Sequence, residues 1–324
     1  MLRNYWELLL IHPSFKMQKR PSYVNMPYAP TYHPTKEEFA EPLTYIAKIK
    51  EEAEQFGICK IVPPKGWQPP CGLSADVCSR RFPTRLQKLH KLQEGAPFPD
   101  GENYTLPEYK AMADKFKSEN FPHLTDTKEN VENAKQMLRD SSIPEKQIEE
   151  MSDHHVLALA LEKEYWNIVE TPQEVTVEYG NDQDTQEFGS GFLKRPEVEE
   201  YQAQATGTKR NRYGGKTKAM EDNEYIVAGN SDRNAVSKNP LADGLTERVD
   251  PDFENPEFYR RTGWNLNNLP HVEGSLLRYL SDGVNGVNVP WLYLGMMFAT
   301  FAWHVEDNFL YSINYMHFGS SKQW

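Results

Sequence analysis

Apolar positions recur at helical spacing over Phe39, Leu43, Ile46, Ile49, Ala53 and Phe56, a stripe along one helix face that Gly57 ends. Ahead of it, Pro34-Thr35-Lys36-Glu37-Glu38 has the form of a capping box, with Thr35 as cap and Glu38 reaching back. Ile58-Cys59-Lys60-Ile61-Val62 then predicts a short strand, stopped by Pro63-Pro64. A helix and a strand that bury one stripe are too small to stand alone, so residues 28–70 must dock on a larger body. Residues 71–170 predict helices with breaks. One spans Thr105–Phe116, with Thr105 at the cap and Pro107 in the first turn; a highly charged one spans Thr127–Arg139; a strong one spans Ser152–Val169. Val175–Tyr179 alternates as a strand, and Gly180-Asn181-Asp182 predicts a turn.

Three other stretches set the organisation. Val284–Trp303 carries no formal charge, and its span of about 20 residues is that of a membrane-crossing helix. Asn285, Gly286, Asn288 and Pro290 break its first third, however, and it runs directly into His304, Glu306 and Asp307. The pattern predicts buried strand. The start, MLRNYWELLLIHPSF, holds an apolar run interrupted by Glu7 and followed by no small-residue cleavage site. Residues 1–27 therefore read as an extension, with Lys16, Lys19 and Arg20, that demands no fold. Pro196–Pro251 is polar and irregular and cannot offset its ordering entropy by burial, so 196–262 is expected as a flexible insertion. Its basic cluster, Lys209 to Lys218, reads first as a solvated loop and second as a nuclear import signal.

Charge narrows the partners. Among 324 residues, 36 Lys and Arg stand against 47 Asp and Glu, a net charge of -11. No nucleic-acid-binding module is expected from that balance, while a basic peptide partner suits it. Cys59, Cys71 and Cys78 form no C-x-x-C pair, so no structural zinc is expected. His154-His155 are adjacent in a first helical turn and point to different faces, which removes them as a metal pair.

Candidate chemistry lies in the last sixty or so residues. In extended chain, His304 and Glu306 share a face and can converge on one ion. An imidazole and a carboxylate are two of the three ligands of a facial non-haem Fe(II) site. Alone, the pair is weakly diagnostic, because H-x-E recurs by chance. Ser312, Asn314 and Lys322 share the parity of His304, so a returning strand would aim an amide and an ammonium at the same cavity. Phe301 breaks that parity and requires the strand to end or bulge near Trp303. The odd offset of His317 from Asn314 points it away, as a core or surface histidine.

These residues sit in longer segments that resemble the JmjN/JmjC (Jumonji) histone lysine demethylases. The segments are YAPTYHPTKEEFAEPLTYIAKIKEEAEQFGICKIVPPKGWQPP, EKEYWNIVE, VTVEYGNDQDTQEFGSGF, GWNLNNLP and VPWLYLGMMFATFAWHVEDNFLYSINYMHFGSSKQW, in the family's order. WNLNNLP and ICKIVPP look most like the histone H3 lysine-4 branch; GVNVPWLY and TFAWHVED also fit a lysine 9/36 branch. The resemblance implies an α+β fold: a JmjN helix-strand unit and a helical linker packed on an incomplete double-stranded β-helix (a cupin-like jelly roll). It divides the chain into an extension (1–27), JmjN (28–70), a helical linker (71–174), a first JmjC-side strand and turn (175–195), the insertion (196–262) and the N-terminal part of JmjC (263–324). It implies an Fe(II)- and 2-oxoglutarate-dependent dioxygenase that demethylates the methylated histone H3 tail within chromatin complexes of the nucleus. His304 and Glu306 would be iron ligands. Tyr179, Phe301, Asn314 and Lys322 would hold 2-oxoglutarate. Tyr293, Gly286 and Ser312 would wall the methyl-lysine pocket, with Asp182 a peptide contact.

The sequence departs from the family at one decisive point. The family's second iron-binding histidine falls beyond Trp324, and no residue of this chain replaces it. The alternative expectation is therefore a catalytically inactive JmjN/JmjC piece that binds chromatin or acts as a scaffold.

Overall fold

The computed structural model describes residues 8–11, 28–95, 97–141, 143–196, 198, 251–280 and 283–323. Two four-stranded sheets organise them. The first has the order β2 (Thr31–Tyr32), β3 (Ile58–Ile61), β1 (Leu8–Ile11), β8 (Ser312–Tyr315). Strand β1 runs antiparallel to both β3 and β8, with Leu9 opposite Lys60 on one side and Asn314 on the other. The segment expected to demand no fold thus supplies an inner strand, joining the start of the chain to its last strand.

The second sheet is antiparallel throughout, in the order β5 (Asp100–Tyr104), β4 (Phe82–Lys88), β6 (Thr176–Asp184), β7 (Trp291–Leu294). Strands β4 and β5 lie where the pattern predicts only helices. The buried face of β4 is Phe82, Thr84 and Gln87, mostly polar, so no apolar alternation announces it. Gln87 works as a surrogate backbone: its amide donates to the Thr300 carbonyl at 2.6 Å and accepts from the Thr300 N–H at 2.8 Å. This ties the strand to the segment after β7.

The helices follow their caps. In α3 (Leu106–Asn120), Thr105 and Glu108 form a reciprocal capping box. Thr127 caps α4 (Lys128–Asp140) and Ser152 caps α6 (Asp153–Glu170). The short α5 (Glu145–Glu150) was not expected. Together they cover one face of the second sheet, through a core that includes Phe82, Leu89, Phe121, Leu138, Ile148, Val156 and Val177.

The Thr35–Glu38 box is also present, but it caps a single turn, Glu38–Ala40, ahead of α1 (Pro42–Ala53). Gly57, at φ 76°, ends that unit. The stripe docks as expected. Phe39, Tyr45 and Ile49 are buried with Trp67, Phe258, Tyr259 and Trp264 in a second core. The Phe39 and Trp264 rings stack at 4.5 Å and 7°, and Trp264 Nε1 donates to the Phe39 carbonyl at 2.6 Å. Residues 252–262, expected as the end of a flexible insertion, instead contain a helix (Pro256–Arg261) whose Phe258 and Tyr259 belong to this core. Residues 199–250 of that insertion, with its basic cluster, lie outside the described residues.

The fold is α+β, with the helix-strand unit packed on sheets that do not close into a barrel among the described residues. No described helix is long and apolar enough to cross a membrane.

Candidate functional site

Strand β6 is longer than the pattern predicts and passes through the expected turn. Its pairing with β7 slips between Gly180 and Gln183, a bulge at which Asp182 takes φ 51°. The bulge sets the Asp182 carboxylate close enough to Tyr293 on β7 for its charge to raise that phenol. Tyr179, upstream on β6, meets the same ring with centroids 6.1 Å apart. Tyr293 in turn stacks on Phe301 at 6.4 Å and 22°, and Phe301 meets Trp303 edge-on at 5.9 Å. The result is a ladder of four aromatic rings from Tyr179 on β6, through Tyr293 on β7, to Phe301 and Trp303.

Lys322 closes the ladder. Its Nζ lies 5.8 Å from the Tyr293 centroid and 5.4 Å from that of Phe301, within cation–π range. It donates to Asn314 Oδ1 at 3.0 Å, and no described carboxylate pairs with it. Burial pushes the Lys322 ammonium down to about 8. Burial also raises Tyr179 and Tyr293, the latter further through the Asp182 carboxylate. Tyr179, Tyr293, Phe301, Asn314, Lys322 and Asp182 therefore come together.

Among the described residues, none of these side chains pairs with Gly286 or Ser312. Gly286 has φ 80°, and a Cβ there would stand 2.5 Å from Trp291 Nε1, so it serves close packing at the start of β7. Ser312 is on β8, opposite Ile11. Trp303, which the sequence reading left out, completes the ladder. The clustered aromatics of Phe298-Ala299-Thr300-Phe301-Ala302-Trp303 were the available signal. His317, expected as a core or surface histidine, is partly buried. It lies against Phe192 at 4.8 Å and Tyr315 at 5.6 Å, and burial pushes it down to about 4, so it is neutral at pH 7.

The iron pair requires correction. Only Trp291–Leu294 of the expected strand is extended in a sheet, and His304 and Glu306 lie in irregular chain. Asn308 and Phe309, at φ 55° and 53°, turn the chain directly after them. The parity that was to set His304 beside Asn314 and Lys322 is therefore lost. His304 Nδ1 sits 2.9 Å from the Ala302 carbonyl, and Nε2 faces Glu306 Oε1 at 3.5 Å. The two side chains address each other, with 61% and 32% of their surfaces exposed. Among the described residues, no group of three or more His, Cys, Asp and Glu side chains is placed to hold a metal ion. A facial site needs three such ligands. The donor set does not fit Fe(II), and the expectation of an Fe(II)- and 2-oxoglutarate-dependent demethylase centre in this chain is overturned.

Two domain models match the chain and make it a JmjN/JmjC-domain protein: the jmjN domain over residues 30–63, and the JmjC domain, hydroxylase, over residues 291–324. The chain is related to plant and animal Jumonji lysine-demethylase family members. It is 32% identical to JMJ16 of Arabidopsis thaliana over 349 residues, 91% of this chain and 23% of that protein. It is 32% identical to the lysine-specific demethylase JMJ703 of Oryza sativa subsp. japonica, covering 91% of this chain and 21% of that protein. It is also 32% identical to lysine-specific demethylase 5B of Gallus gallus, covering 74% of this chain and 11% of that protein. The chain spans about a fifth of the length of the first two.

Proposed function

We propose that this chain is a chromatin-binding or scaffold module of the nucleus, with the histone H3 tail as its partner and no demethylase chemistry of its own. The observation that carries this reading is a contrast within one site. The aromatic ladder, Asp182 and Lys322 are assembled, whereas His304 and Glu306 face each other and lack a third ligand among the described residues. Relatives that carry the name lysine-specific demethylase support a lysine-bearing peptide as partner. A net charge of -11 supports a basic tail. Asp182 and Tyr293 would contact the peptide. The segment around H3 lysine 4 is the first choice, on the wording of GWNLNNLP and ICKIVPP.

Fluorescence anisotropy of labelled H3 tail peptides, titrated with the full chain, tests the reading. Saturable binding is expected, weakening as salt rises. Asp182→Asn, which tolerates the left-handed backbone at that position, should weaken it about tenfold, the loss of one charge-assisted contact. Absence of binding to peptides covering lysines 4, 9 and 36 would overturn the proposal.

A further inference from the structure

Strand β1 sits between two strands that are fastened to the body without it. On β3, Cys59 and Ile61 are 0% exposed and belong to the core around Trp67 and Trp264. On β8, Ile313 and Tyr315 pack on that same core. Trp67 Nε1 donates to the Tyr315 hydroxyl at 3.0 Å, and the Phe192 and Tyr315 rings stack at 5.0 Å. Both walls of the slot that β1 fills are held by contacts that β1 does not make. The register sets the chemistry of the occupant. Leu8 lies opposite Ile61 and Tyr315, and Leu10 opposite Cys59 and Ile313. Directly opposite positions share a sheet face, so a strand in this slot meets the core at its positions i and i+2. Leu9 and Ile11 lie opposite Lys60, Asn314, Ile58 and Ser312, positions outside that core. The backbone of β3 shows which bonds depend on β1. The Lys60 and Val62 N–H groups donate to the Pro30 and Tyr32 carbonyls on the β2 side, both at 2.9 Å. By strand alternation, the Cys59 and Ile61 N–H groups face β1. A strand of four residues gains little beyond the entropy it loses on ordering, so it can leave a slot whose walls stay in place.

We propose that the slot between β3 and β8 is an acceptor site for an extended peptide with large aliphatic residues at positions i and i+2, and that Leu8–Ile11 is its detachable occupant, seated in cis. This is strand addition at the centre of a sheet, where main-chain hydrogen bonds on two sides give affinity and the positions of Leu8 and Leu10 give specificity. Occupancy decides whether β3, the strand of residues 28–70, and β8, the last strand, belong to one sheet. Tethering gives the resident strand a high effective concentration, so a competing peptide enters only where β1 is weakened or outnumbered. The proposal does not depend on the histone-tail reading.

The test uses the full chain, amide exchange followed residue by residue by NMR, and a labelled peptide carrying Leu-Leu-Leu-Ile between solubilising lysines. Leu8→Asp with Leu10→Asp should vacate the slot. Exchange at Cys59 and Ile61 should then rise about tenfold or more, while Lys60 and Val62, bonded to β2, keep their protection. Leu9→Asp with Ile11→Asp makes the same change in the other register and should leave all four amides protected. The peptide should bind the vacated variant and restore protection at Cys59 and Ile61. It should bind the native chain at least about tenfold more weakly, because the resident strand competes in cis. A peptide with Asp in place of the first and third leucines should bind neither. Equal effects of the two double variants, or a peptide that fails to restore protection, overturns the acceptor site. So does a first double variant that circular dichroism shows to be unfolded, since the walls would then depend on β1. A native chain that sediments as a dimer, and becomes monomeric in that first double variant, would put a second copy's strand in the slot and overturn the cis occupant.

Discussion

Trp264→Ala is expected to lower the unfolding free energy by about 3–5 kcal/mol, the usual cost of emptying a large aromatic site. Few residues have more to lose. Trp264 is 2% exposed, stacks on Phe39 and donates its indole N–H to the Phe39 carbonyl. Removing it opens a cavity and leaves a buried acceptor without its donor. Both losses fall on the contact between the helix-strand unit of residues 28–70 and the sheet-bearing body. Since small domains hold roughly 5–15 kcal/mol in all, the variant should unfold at far lower urea concentration. Protection of α1 amides from hydrogen exchange should fall with it. Unchanged protection in α1 would mean that the unit is held elsewhere, for example by the Trp67 Nε1 bond to the Tyr315 hydroxyl at 3.0 Å.

The second large effect is expected one residue on. Asn265 is 0% exposed, and its amide donates to the Leu193 and Tyr259 carbonyls, both at 2.8 Å. Asn268 repeats the device, donating to the Arg260 and Thr262 carbonyls at 2.8 and 3.0 Å. Tyr259 and Arg260 end the helix Pro256–Arg261, so the two amides satisfy last-turn carbonyls and tie them to Leu193 and Thr262. Asn265→Ala strands two buried carbonyls and should cost about 2–4 kcal/mol. Asn265→Asp keeps the shape, but an ionised carboxylate there cannot donate and buries a charge, so urea midpoints should rank native, then Ala, then Asp. An Asp variant as stable as the native chain would show that shape, not donation, matters there. The motif GWNLNNLP is thus a structural staple beside the core.

Which parts could be read in advance follows from how each is specified. Helices α3, α4 and α6 announce themselves because Thr105, Thr127 and Ser152 act locally on the next turn. Strand β4 does not, because its inward face carries Thr84 and Gln87, whose partners lie distant in sequence, at Glu102 and Thr300. Strand β1 was missed for a related reason. A four-residue apolar run means little until β3 and β8 flank it. The site divides in the same way. Asn314 and Lys322 were placed together by strand parity from His304, yet they meet although His304 is not in a strand. The resemblance gives Tyr179 and Phe301 to the cosubstrate and Tyr293 to the methyl-lysine pocket; in the structure the three rings lie next to one another, and Trp303 joins them through ring packing. The positive φ of Phe309, just past the H-x-E pair, leaves no mark in the sequence, whereas that of Asn308 falls on a residue that tolerates it.

Among the described residues, His304 and Glu306 have no third ligand with which to make a metal centre. An anaerobic calorimetric titration with Fe(II), repeated with Co(II) as a stable stand-in, tests this most directly. The expected result is weak, non-stoichiometric uptake that the double variant His304→Ala, Glu306→Ala leaves unchanged. One tightly bound ion per chain, lost in that double variant and accompanied by demethylation of an H3 peptide, would contradict the claim.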